Sequence, residues 1–167
     1  FQAYRLCPQG IYVHPRMERY LELSEKIMNI FKNYSPDVQQ ISIDEAFIDL
    51  TGTERLFGPP EETGKKIKQE VFEKTGLTVS VGIASTKYLA KISSEIKKPD
   101  GLFVVKDGEE VDFMMKLPLE KLWGVGSKTL EVIKSRGINT TKSIYDKPLP
   151  LLVNLFGQST GAFLFNA

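Results

Sequence analysis

Two adjacent carboxylates, Asp44 and Glu45, stand between two short apolar runs at residues 41–43 and 46–48. Side chains alternate along a strand, so neighbouring acids converge only where the strand breaks into a turn or bulge. The stretch therefore reads as a β-hairpin with Asp44 and Glu45 in the turn, Ile43 opposite Ala46 and Ile41 opposite Ile48. That register puts Ile41, Ile43, Ala46, Ile48 and Leu50 on one face, with Ser42 and Phe47 on the other. Asp-Glu is a poor pair for a tight turn, which favours Asn-Gly or Asp-Gly. A local rule broken between two well-formed strands marks a place to expect function. The chemistry such a pair suits is hard-cation binding, because Mg²⁺ takes one or two carboxylates together with substrate phosphates. Taken alone, the two acids read first as a solvated acidic turn.

The flanking pattern predicts several more elements. Pro15 stands at a first helical position, and Met17, Tyr20, Leu21, Leu23, Ile27, Met28, Ile30 and Phe31 recur at helical spacing up to Tyr34-Ser35-Pro36. Residues 53–60 read as a loop, and Pro59-Pro60 leads into an amphipathic helix carrying Ile67, Val71 and Phe72, stopped by Gly76. A strand at 77–83, a helix at 86–97, a strand at 102–105 and a short helix at 111–115 follow. Strands with helices between them imply an α+β layer, one sheet with helices packed on one side. A boundary is expected near Lys116-Leu117-Pro118. Beyond it, short helices at 118–123, 127–136, 141–146, 149–155 and 158–166 suggest a small all-α domain over 117–167, after a mixed domain over 1–116.

Trp123-Gly124-Val125-Gly126-Ser127-Lys128 resembles a helix–hairpin–helix motif, with Ser127 as the cap of its second helix. Two glycines let the backbone approach a DNA phosphate, the next helix start aims N–H groups at it, and Lys128 adds charge. A weaker second copy lies at Leu155-Phe156-Gly157-Gln158-Ser159.

Composition narrows the classes. With 41% apolar and 26% charged residues, 167 residues describe a globular chain with no run long enough to span a membrane and no visible signal peptide. One cysteine excludes an intramolecular disulfide and fits a reducing, cytoplasmic setting; Cys7 is expected as a small buried hydrophobe, and His14 has no Cys or His partner for a metal site. Net charge is only +1, but it is unevenly spread: residues 1–115 hold 15 Lys and Arg against 18 Asp and Glu, and residues 116–147 hold 7 against 3. An acidic part beside a basic part suits a metal centre next to a phosphate-tracking surface. The chain starts at Phe1 and ends in an apolar pattern, which suggests a piece of a larger protein whose Phe163, Leu164 and Phe165 are sticky surface.

Ser42-Ile43-Asp44-Glu45-Ala46-Phe47-Ile48-Asp49-Leu50-Thr51 resembles the second metal-binding motif of the Y-family (translesion) DNA polymerases. Ser80-Val81-Gly82-Ile83-Ala84-Ser85-Thr86-Lys87-Tyr88-Leu89-Ala90-Lys91-Ile92, followed by Lys98-Pro99-Asp100-Gly101, is similar to that family's strand–helix–Lys-Pro-x-Gly block. Leu6-Cys7-Pro8 and the Tyr20 to Pro36 segment continue the likeness, which covers nearly the whole chain and is closest to the bacterial DNA polymerase IV type.

The resemblance implies late fingers and palm over 1–116 and a truncated thumb over 117–167. It implies two Mg²⁺ ions, with Asp44 ligating metal and Glu45 holding or activating the primer end, and Lys98 neutralising the triphosphate. Gly124, Val125, Gly126, Ser127 and Lys128 would hold primer–template DNA. Asp49, beyond the turn, reads as structural. Deoxynucleoside triphosphates are the implied substrates and a sliding clamp the partner of the full-length protein. The family's first metal-binding strand is missing from this sequence, so the fragment alone is expected to be inert. Two other classes share parts of the pattern: a non-catalytic DNA-binding module that keeps the helix–hairpin–helix, and a metal-dependent nuclease or nucleotide cyclase with similar carboxylates.

Overall fold

Helices carry most of the chain and every strand is three residues long, so the α+β class is realised through small sheets. The computed structural model describes residues 2–166; Phe1 and Ala167, the outer limits of the expected domains, lie outside them. Two compact units, Phe1–Asp49 and Leu50–Ala167, divide the chain, and the expected boundary at 116 falls inside the second.

The first unit holds helices α1 (Gln2–Leu6) and α2 (Met17–Lys32) and strands β1 (Val38–Gln40) and β2 (Ala46–Ile48). Pro15 lies just before the Arg16 N-cap of α2. The helix buries Ser24, Met28 and Ile30, while the apolar residues of its first turns, Met17, Tyr20 and Leu21, are exposed. On its polar side Glu22 lies 2.6 Å from Arg19 and 2.7 Å from Lys26, and hydrogen bonds from Lys26 and Arg19 pull its carboxyl down to about 2. Cys7 is exposed, contrary to expectation: Leu6, Ile11 and Val13 around it are exposed too, so its segment offers no interior to enter.

β1 and β2 pair antiparallel, with Val38 opposite Ile48, Gln39 opposite Phe47 and Gln40 opposite Ala46. The hairpin forms, but its register is displaced by three residues from the expected one. An odd displacement exchanges faces, so Val38, Gln40, Ala46 and Ile48 share a side while Ile41 and Ile43 leave the ladder for the loop. Hydrogen bonds local to the loop compete successfully with further pairing. The Ile41 and Ser42 N–H groups both donate to the Glu45 carbonyl, at 2.9 and 3.3 Å.

The second unit contains α3 (Glu54–Phe57), a helical turn where a loop was expected, then α4 (Pro60–Thr75), β3 (Val81–Ile83), α5 (Lys87–Ile96), β4 (Leu102–Val104) and α6 (Glu110–Lys116). Gly76 ends α4 in the left-handed conformation, φ 71°. β3 and β4 pair in parallel, which requires a crossover, and α5 supplies it. α5 rests directly on the strand: a Cβ at Gly82 would stand 2.1 Å from the Ala90 carbonyl oxygen and 2.3 Å from the Ser94 nitrogen. On the other side α4 approaches through Gly64, whose Cβ would meet Ile83 at 3.0 Å and Leu102 at 3.1 Å. Alternation along β3 therefore gives this small sheet a helix on each face, where the sequence alone suggested one.

A 3₁₀ turn (Leu119–Lys121) and helices α7 (Ser127–Ser135), α8 (Thr141–Tyr145), α9 (Leu149–Phe156) and α10 (Gln158–Asn166) complete the unit. Their core joins Ile92 of α5 to Leu117, Leu119, Leu122, Ile133, Ile138, Ile144, Leu152 and Leu164. Burying one such side chain contributes roughly 2 kcal/mol. The Thr141 hydroxyl, buried in this core, donates to the Leu117 carbonyl at 2.6 Å. Of the three residues read as sticky surface, Leu164 is buried and Phe163 packs on the core, leaving Phe165 exposed, because α10 crosses α9 closely enough that a Cβ at Gly161 would lie 2.5 Å from the Val153 Cα.

A packing glycine and a backbone glycine separate in a denaturation experiment. Gly82→Ala, which forces β3 off α5, lowers the urea-unfolding free energy by about 3 kcal/mol. Gly76→Ala, where a Cβ meets nothing within 4 Å, loses only the left-handed backbone preference, about 1 kcal/mol.

Candidate active-site loop and nucleic-acid interface

The acid pair occupies the five-residue loop between β1 and β2. Asp44 is exposed and Glu45 half-buried. The Ser42 hydroxyl donates to Asp44 Oδ1 at 2.6 Å, and the Gln40 amide donates both to the Ser42 carbonyl at 2.9 Å and to the Ser24 hydroxyl of α2 at 3.2 Å. The loop is thus oriented by its own polar side chains and tied to α2. Asp49 closes the hairpin through its backbone, donating to the Asp37 carbonyl at 3.0 Å. Among the described residues no group of three or more His, Cys, Asp or Glu could hold a metal ion. Asp44 and Glu45 are two adjacent carboxylates on one loop, the number that a Mg²⁺ shell completed by substrate phosphates takes from a protein.

Lys98 belongs to the second unit. α5 ends at Ile96, and the turn Lys98-Pro99-Asp100-Gly101, with its Lys98–Pro99 peptide bond cis, leads into β4. The Lys98 ammonium lies 2.6 Å from Glu95 Oε1, which is also 3.2 Å from Lys91. Hydrogen bonding from Lys98, more than any other cause, holds the Glu95 carboxyl below its ordinary range. That depression leaves the pair intact at neutral pH and dissolves it as pH falls below the ordinary carboxylate value of 4.5. Both partners are substantially exposed, a setting in which an ion pair is worth only about 0.5 kcal/mol. Neighbouring Lys97 is turned elsewhere, its ammonium 5.7 Å from the centroid of the Phe103 ring.

Gly124, Val125, Gly126, Ser127 and Lys128 come together as one hairpin. Gly124 has φ 91°, and a Cβ there would press on the Phe163 ring at 2.7 Å. Gly126, not Ser127, is the N-cap of α7; its φ is −81°, no side chain caps the helix, and a Cβ would meet nothing within 4 Å. Ser127 is the first helical residue because the chain already turns at Gly126, whose carbonyl accepts from the Leu130 N–H at 2.9 Å. Val125 packs on the core, while Gly126, Ser127 and Lys128 face outward. The orphan N–H groups of the first turn of α7 thus open onto solvent beside a lysine, the arrangement that binds a phosphate. The element preceding the hairpin is one 3₁₀ turn, shorter than the helix expected at 118–123.

Sequence reasoning missed what anchors this hairpin. The Tyr88 hydroxyl of α5 donates to the Trp123 carbonyl at 3.1 Å, with ring centroids 5.8 Å apart. Burial pushes the Tyr88 hydroxyl up to about 12. No spacing rule pairs positions this distant in sequence, so only the folded chain displays the link.

With these features in hand, the comparisons with known proteins are informative. Residues 1–95 match the model of the impB/mucB/samB family, and residues 107–138 match the IMS family HHH motif. The chain belongs to the impB/mucB/samB family. This is the Y-family of DNA polymerases to which the motifs point. The chain is 49% identical over 166 residues to DNA polymerase IV of Treponema denticola, covering 99% of this chain and 42% of that protein. To DNA polymerase IV of Clostridioides difficile it is 40% identical over 154 residues, covering 92% and 42%. The insertion ternary complex of Dbh DNA polymerase superposes with a TM-score of 0.87 at 34% identity, covering 99% of this chain and 48% of that one. For DinB from Sulfolobus solfataricus the TM-score is 0.88 at 34% identity, with 99% and 49% covered. The chain spans less than half the length of these relatives. No described helix is long and apolar enough to cross a membrane.

The Tyr88 shift has a measurable consequence. Its value in the fold lies above the ordinary 10.0, so the stability it contributes is fully present below pH 10 and is lost as pH rises through about 12. Tyr88→Phe removes a tyrosinate step near pH 12 from a near-ultraviolet pH titration and flattens the alkaline loss of stability.

Proposed function

We propose that this chain is the palm portion (1–116) and thumb (117–167) of a bacterial translesion DNA polymerase, acting in DNA repair on primer–template DNA in the cytoplasm. The observation that carries the reading is the acid loop: Asp44 exposed on a loop braced by Ser42 and Gln40, in a segment matched by the family model. Asp44 and Glu45 are the residues that would hold Mg²⁺. When bound, the metal ions supply charge stabilisation to the attacking and leaving oxygens of phosphoryl transfer. Glu45, half-buried beside Asp44, orients the primer 3′-hydroxyl end. Lys98 leaves its weak pair with Glu95 to meet the triphosphate of the incoming deoxynucleotide. The Gly126 end of α7 and Lys128 hold a DNA backbone phosphate without reading sequence. A sliding clamp would engage the full-length protein outside this segment.

Asp44→Ala in the full-length polymerase lowers primer extension about a thousandfold while primer–template affinity is unchanged. Unchanged extension would favour the rival reading, a DNA-binding module without catalysis. The 167-residue chain alone is expected to give no Mg²⁺-dependent extension, which a primer-extension assay on the purified chain checks.

For the interface, Gly126→Glu is the clean variant, since its Cβ position is open, whereas Gly124→Glu also strains φ and collides with Phe163. Gly126→Glu in the full-length protein weakens primer–template binding and reduces its salt dependence by about one phosphate contact. Binding measured across a salt series checks this, and an unchanged slope returns the hairpin to a structural turn.

A further inference from the structure

Lys68 lies on α4, yet its side chain is only 18% exposed. Its ammonium turns inward and donates to the Val79 carbonyl at 2.7 Å, to the Asp100 carbonyl at 2.9 Å and to the Asp100 carboxylate. Three acceptors match the three protons that an ammonium offers. A lysine serving only solubility would keep its head in water and lay its stem on the surface.

The residue it grips is unusual. Asp100 has φ 52°, the single non-glycine residue with positive φ among the described residues. By binding the main-chain and side-chain oxygens of Asp100 together, Lys68 holds the residue in a conformation that L side chains disfavour. The same turn is secured twice more. The Gly101 N–H donates to the Ser80 hydroxyl at 3.2 Å, and a Cβ at Gly101 would lie 2.4 Å from the Lys97 carbonyl oxygen. Lys98 stands two residues before Asp100 in this turn, with its ammonium donating to Glu95 Oε1 at 2.6 Å.

We infer that Lys68 is a positioning residue for nucleotide binding: it fixes the Asp100 backbone so that the turn presents Lys98 to the triphosphate. The inference rests on the proposed role of Lys98. Lys68 does not touch the nucleotide; it acts by keeping the main chain on both sides of Pro99 in one place. Loss of the ammonium leaves the Val79 and Asp100 carbonyls without this donor and frees Asp100 to leave the left-handed region. The cost then falls on ground-state capture of the triphosphate more than on the chemical step.

The test uses single-nucleotide insertion by the full-length polymerase, with melting temperature and primer–template affinity as controls. Lys68→Met raises the KM for the deoxynucleoside triphosphate on the order of 10-fold, with kcat and DNA affinity little changed, and Lys68→Arg recovers most of the loss. Lys98→Ala also raises KM, and adding Lys68→Met to it raises KM no further, because the two act through one turn. A folded Lys68→Met enzyme with unchanged KM, or an effect of full size in the Lys98→Ala background, overturns the inference while leaving the role of Lys98 standing. If Lys98→Ala itself leaves KM unchanged, the triphosphate reading fails and the inference falls with it. Should Lys68→Met not fold, Asp100→Asn keeps the left-handed preference but removes the charged half of the grip. It raises KM at constant kcat, and an unchanged KM there overturns the inference equally.

Discussion

The absence of a side chain at Gly82 lets α5 lie directly on β3, and the second unit is arranged around that contact. With α5 seated there, Ile92 reaches the core formed with α7 to α10, Tyr88 meets the Trp123 carbonyl, and the end of the helix delivers Lys98 into its turn. One helix therefore connects a small parallel sheet, a candidate phosphate-binding hairpin and a candidate triphosphate ligand. The continuous core explains why no division into compact units falls at residue 116, although the composition changes there. The segments proposed as palm and thumb share this interior on either side of residue 116.

Charge is used in two physically different ways. Lys98 and Glu95 form an exposed pair of low net value, suited to exchanging one partner for another. Lys68 is shielded and spends its hydrogen bonds on backbone carbonyls, suited to holding a conformation. The hairpin at Gly124–Lys128 makes a comparable division between its glycines. Gly124 is needed for its φ and for the room it leaves Phe163, while Gly126 leaves open space in front of the helix N–H groups. The two glycines thus stand in different surroundings two residues apart, one against the core and one open to solvent.

Helix positions were highly legible in the sequence. Pro60 and Gly76 bracket α4, Thr86 caps α5 by accepting from the Leu89 N–H, and the short helices from α7 onward lie within a residue or two of expectation. Strands were less so. The hairpin was expected in the right place, but its register moved by three residues, because the bonds of Ser42 and Asp44 and of the Glu45 carbonyl close the loop locally in place of further ladder pairing. Cys7 and Phe163 show the opposite failures, an apolar segment left exposed and an apparent surface patch drawn into the core.

By itself the sequence determined which residues are the candidates for the chemistry: the acid pair, Lys98 and the glycine hairpin are contiguous motifs, recognisable because their spacing is set along the chain. It also determined the helices, since proline, glycine and capping residues act within a few positions of themselves. Only the tertiary structure decided what holds those motifs in place. Lys68 reaches Asp100 and Tyr88 reaches Trp123 across 32 and 35 residues, and each contact exists because α5 and its neighbours pack without a gap. Local rules govern bonds closed by short loops. These contacts depend on the close fit of whole elements, which no spacing in the sequence encodes.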